Sequence, residues 1–149
     1  MRTELDLLCE VRAELTRSLV RWAGVSVVVG APLWWLGRRN GSATAVGVGR
    51  QTLAWGAVDL AIAAAGSVAN RRPVPDPPAA VRSLRRLLWV NAVLDIGYLL
   101  GAVLLSRRSR LAPDAAGIAV QGTALLIIDT VHARRLRMAS NAAPAVTAG

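Results

Sequence analysis

Lysine and phenylalanine are absent from these 149 residues, and cysteine, histidine and tyrosine occur once each. A lone Cys9 excludes an intrachain disulfide. A single histidine leaves little material for a metal centre. Acidic residues are also scarce, nine against eighteen basic residues, and every basic residue is arginine. Aromatic residues make up 4% of a chain that is 54% hydrophobic. Such an apolar composition with so few rings does not fit an ordinary soluble domain and places the chain in the membrane class. The enrichment in Arg, Ala, Val and Gly is that expected from a GC-rich bacterial genome. Residues Met1 to Leu8 include Arg2, Glu4 and Asp6 and form no apolar core. They therefore do not read as a cleavable signal, and the first apolar stretch is expected to remain as an anchor.

A net charge of +9 raises the question of nucleic acid. The arginines, however, fall in pairs where apolar stretches end: Arg38-Arg39, Arg71-Arg72, Arg85-Arg86, Arg107-Arg108 and Arg134-Arg135. Membrane proteins place charge there to anchor helices and to meet anionic lipid. The expected partner is the lipid bilayer and not nucleic acid, with a second copy or another membrane protein also admissible.

Residues 1–18 read as an amphipathic helix, because Leu5, Leu8, Val11, Leu15 and then Leu19 recur at steps of three or four. This helix is expected to lie on the membrane surface or under the bundle, and to be dispensable for insertion. Four spans follow in residues 19–138, at about 19–36, 51–70, 87–105 and 115–133, each near the ~20 residues that cross the hydrocarbon. Pro32 would kink the first span. Trp34-Trp35 fit one interfacial belt, and Trp22 and Trp89 would mark the other. Asn40-Gly41-Ser42 reads as a turn. Four prolines between Arg71 and Arg82 read as an extended, solvated linker. Residues 139–149 read as a disordered tail. Gly97-x3-Gly101, with Ala57, Ala61 and Ala65, would let helices meet closely inside the bundle.

Eleven arginines belong to the side holding the N-terminal segment, the Pro-rich loop and the C-terminal tail, against six on the other. By the positive-inside rule, both termini are cytoplasmic in a multi-pass protein of the bacterial plasma membrane.

Gln51 and Asp59 in the second span recur as Gln121 and Asp129 in the fourth, both 70 residues on. An offset of 69 sets Trp22 and Ser26 against Asn91 and Asp95. Two hairpins related in this way would form an internal repeat. Chance matching in an Ala/Val/Leu-rich chain is the alternative.

The chemistry concentrates in three polar stripes. Positions three, four or seven apart share a helix face. They group Gln51, Trp55 and Asp59; Asn91, Asp95 and Tyr98; and Gln121, Leu125, Asp129 and His132. An aspartate at the centre of a membrane helix costs about 2.5–3.5 kcal/mol on insertion scales, so three of them predict a shared polar core. The stripes admit two readings. They hydrogen-bond to one another and fix packing. Alternatively, they hold a proton, a cation or a small polar ligand in a transport-type role. Asp129 and His132 could supply two ligands of a metal site, but the set lacks further donors. No cofactor motif, phosphate loop or nucleophile–base pair is present, so no enzyme is expected.

Gln51…Trp55-Gly56…Asp59-Leu60-Ala61-Ile62, then Asn91…Leu94-Asp95-Ile96-Gly97-Tyr98…Gly101, then Gln121-Gly122…Leu125-Leu126…Asp129…His132 resemble an uncharacterised family of small bacterial four-helix integral membrane proteins. The resemblance covers about the last two-thirds of the chain and implies an all-α bundle. It implies no activity. The first span departs from it, with no polar residue beyond Ser26.

Overall fold

The structure, a computed structural model, describes residues 3–142. Four helices follow one another: α1 (Glu4–Arg39), α2 (Ala43–Ala69), α3 (Pro77–Ser106) and α4 (Ala112–Ala142). They form an all-α four-helix bundle, and all four are long and apolar enough to cross a membrane. Valine and leucine side chains such as Val28, Val93, Leu100 and Leu104 point outward, while Ser26, Thr52, Asp59, Asp95, Gln121, Asp129 and His132 are buried. That is the reverse of a water-soluble protein and the arrangement expected in lipid, where backbone and side-chain polar groups must be satisfied internally.

Helix boundaries follow local chemistry. Thr3 and Asp6 form a reciprocal capping box at the start of α1. The Asn40-Gly41 turn places Gly41 at φ 68°, a conformation that glycine adopts without strain. The Ser42 side chain then caps α2 by accepting from the Ala45 amide. Asp76 caps α3 in the same way through Ala79.

Several elements depart from the expectation. α1 runs unbroken through residue 18, because Arg17-Ser18-Leu19-Val20 contains no helix breaker. Pro32 lies within its helical run. Its 36 residues reach about 54 Å, well beyond a ~30 Å hydrocarbon layer. The N-terminal turns pack under the bundle, the second of the two expected placements. Leu8 and Val11 are fully buried against Val81, Leu88, Ala133 and Leu136, so α1, α3 and α4 share an apolar cluster at the end where α1 begins. Arg135 of α4 pairs there with Glu10 and Glu14 of α1. The Pro-rich segment is a linker only to Asp76, since Pro77 and Pro78 open α3. Their missing amides fall in the first turn, where no intrahelical acceptor exists. The expected tail from 139 overlaps the last turn of α4, and 143–149 lie outside the described residues.

Close helix contact uses other small residues than those expected. A Cβ on Gly30 would meet the Leu53 amide nitrogen at 2.8 Å, and one on Gly56 would meet Ser26 Cβ at 2.8 Å, so α1 and α2 pack backbone to backbone. A Cβ on Gly117 would meet Gln51 Cβ at 2.6 Å, which brings α4 equally close to α2. Gly97 and Gly101 have nothing within 4 Å, and Ala57, Ala61 and Ala65 are exposed. The bundle is therefore two hairpins, α1–α2 and α3–α4, joined through α2–α4 and through the N-terminal half of α1. α2 and α3, although consecutive, make no backbone approach among the described residues.

Candidate functional site

The gap between α2 and α3 leads to a cavity of about 210 Å³. α2 contributes Trp55, Asp59 and Ile62, and α3 contributes Asn91, Asp95 and Tyr98. α4 adds Leu125 and Asp129, while Leu15 and Leu19 of α1 close it from behind. Helical spacing explains the grouping: residues four or seven apart on each helix face the same space. Trp55 and Tyr98 meet edge to face across the gap, with ring centroids 5.3 Å apart. This geometry favours aromatic pairs.

Three carboxyl groups share the cavity. Asp59 is 0% exposed, and neither of its oxygens has a hydrogen-bond partner. Asp95 is 3% exposed and leaves Oδ2 unpartnered. Asp129 has Asn91 as a hydrogen-bonding neighbour and lies close enough to both other carboxyls for their charges to interact. Among the described residues, no arginine or histidine lines the cavity. Buried polar atoms in proteins are nearly always paired, so three unpartnered carboxyl oxygens, both of Asp59 and one of Asp95, are unusual beside open volume.

The other stripe residues lie elsewhere. Gln121 is 1% exposed and fully engaged: its Oε1 accepts from Trp22 Nε1 at 2.6 Å, and its Nε2 donates to Ser26 Oγ at 3.1 Å and to the Thr52 carbonyl at 3.3 Å. One amide thus ties α1, α2 and α4 together. Trp22, half-buried, thus turns its indole N–H toward the bundle. Gln51 reaches Asp114 Oδ1 at 3.4 Å, beside the Arg50–Asp114 ion pair at 2.8 Å. His132 is buried on α4, where its Nδ1 lies 2.7 Å from the Ile128 carbonyl. It does not join Asp129 in the cavity, and no group of three or more His, Cys, Asp or Glu residues is placed to hold a metal ion among the described residues.

Leu125 shares the stripe of Asp129 as the spacing implies, but Leu15 and Leu19 were not legible as walls, because apolar residues on a helix carry no mark of which cavity they face. Nor were Trp22 and Ser26 legible as the partners of Gln121. The 69-residue offset held a hint of that arrangement, since it pairs those two residues with Asn91 and Asp95 of the open side.

The model of a family of unknown function, DUF6992, matches residues 18–130, most of the chain, and the protein belongs to that family. No curated protein and no solved structure matches it.

Proposed function

We propose that this DUF6992 member is an integral membrane protein whose α2–α3–α4 cavity holds a proton, a cation or a small polar ligand in a transport-type role, with Asp59, Asp95 and Asp129 supplying the charge. The observation that carries this reading is Asp59, whose two oxygens are buried beside open volume and bonded to nothing. An unpaired carboxylate in apolar surroundings is so unfavourable that a proton or a counter-charge is the natural complement. The lining offers no basic side chain for that purpose. The membrane is the bacterial plasma membrane, and both termini face the cytoplasm in line with the arginine excess.

Thermal unfolding of the purified protein across pH and a panel of inorganic cations tests this proposal. The expected wild-type midpoint moves with pH or with at least one cation, and Asp59→Asn and Asp95→Asn fold but lose the response. A wild-type profile that is flat to both, and is unchanged in the variants, overturns it.

A second reading rests on Gln121. Its fully satisfied hydrogen bonds are what a structural or accessory membrane protein needs, with polar groups present only to fix packing. Under that reading both aspartate variants are silent.

A further inference from the structure

The geometry points to a lipophilic organic cation, an amine or quaternary ammonium carrying an apolar or aromatic group, as the ligand of the cavity, entering sideways from the bilayer between α2 and α3. The inference rests on the binding role proposed above and adds the class of ligand and its route.

Charge selects the sign. Three carboxyls face one space without a basic neighbour in its lining. The walls select the body. Leucine and isoleucine side chains make up most of the remaining lining, and a hydrated inorganic ion gains nothing from them, whereas hydrocarbon groups do. Size agrees. A space of about 210 Å³ greatly exceeds one bare ion and falls below the roughly 300 Å³ at which drug-sized pockets begin, so a small ring-bearing amine is matched. The aromatic pair adds recognition, because Trp55 and Tyr98 present rings beside the acids, and a cation over a ring face is attracted by the ring's quadrupole. A small metal ion is less well served, since no three acidic, histidine or cysteine groups converge for coordination among the described residues.

The route follows from the packing. α2 and α3 stand apart, and Ile62, Leu87, Leu94 and Tyr98 on the two rims are exposed to what surrounds the bundle. In a membrane that surrounding is lipid tails. A solute that partitions into the bilayer meets this opening directly, and its charged nitrogen then reaches Asp59 behind the rim.

The test is calorimetric titration of the full-length protein in detergent with benzyltrimethylammonium, beside neopentylbenzene, which has the same shape without the charge. Saturable binding of the cation is expected, at least tenfold tighter than that of the neutral analogue. Asp59→Asn should weaken it at least tenfold, and Trp55→Leu severalfold, with both variants unfolding cooperatively. Asp76→Asn, at the exposed start of α3, controls for the loss of an acid elsewhere and should leave the affinity of the cation within twofold of wild type. Equal binding of cation and neutral analogue overturns the inference and marks the gap as a slot for a lipid chain. Undiminished binding in Asp59→Asn also overturns it. If benzyltrimethylammonium does not bind while pH or an inorganic ion still shifts the thermal midpoint through Asp59, the ligand class is wrong and the acidic site stands. Silence in both experiments removes both.

Discussion

Two buried polar side chains illustrate opposite uses of the same chemistry. Gln121 has its amide saturated by Trp22, Ser26 and Thr52. Asp59, at similar burial, has no partner. Their substitutions should therefore differ in sign. Gln121→Ala removes three bonds and leaves the Trp22 indole N–H unpaired, so we expect a loss of about 1–2 kcal/mol of stability. Asp59→Asn keeps the shape and removes a buried, uncompensated acid, so stability is expected to be unchanged or higher. Reversible unfolding in mixed micelles measures both. A substantial loss from Asp59→Asn would mean that its carboxylate has a structural partner.

Between helices, contact distance decides which glycines matter. A side chain at Gly30 or Gly56 would strike the backbone or Cβ of the opposite helix, whereas Gly97 and Gly101 face open space. Gly30→Leu should force α1 from α2 and lower stability by an amount typical of overpacking, about 1–3 kcal/mol. Gly97→Leu should leave the isolated chain unaffected. The comparison is made by thermal unfolding at high dilution in detergent. If Gly97→Leu proves the more disruptive of the two, the outer face of α3 is occupied by another molecule and α3 is not lipid-facing there.

At the scale of the molecule, the bundle has two cores of different kinds. The membrane-level interior is polar and glycine-packed. The end where α1 begins is an ordinary apolar cluster around Leu8, Val11, Leu88 and Leu136. The first turns of α1 thus pack under the bundle, one of the two expected placements, in contacts that a dispensable segment would not need. Leu8→Ala should cost about 2–5 kcal/mol through lost burial and a residual cavity. Circular dichroism melts of the two proteins would register it, and an unchanged melting curve would return the segment to the surface. Orientation is tested on the same scale. Reporter fusions at Ala112 and after Gly149 should report opposite sides of the membrane, with the C-terminal fusion inside. A C-terminal reporter active only outside the cell would reverse the topology.

Much of this architecture is written in local patterns. Apolar runs of about twenty residues identify the four helices, because hydrocarbon thickness sets a length that any chain must meet. Ser42, Asp76 and Gly41 mark boundaries through bonds made within a few residues. Periodicity places Asp59, Asp95 and Asp129 each on a polar stripe, because spacing along one helix is a one-dimensional property. What needed the tertiary structure is every relation between helices. The stripe on α4 divides: Asp129 faces the cavity, Gln121 binds α1 and α2, and His132 turns to its own backbone. The Gly97-x3-Gly101 spacing looks like a contact motif and is empty, while Gly30, Gly56 and Gly117, with no such spacing, carry the contacts. Nothing in the sequence announces that α2 and α3 part. That gap arises because α2 is held by α1 on one side and α4 on another, which leaves its third neighbour in the chain without a backbone contact. Which helices exist follows from residues next to one another. Which side chains meet depends on how helices rotate and pair, and residues distant in the chain settle that jointly.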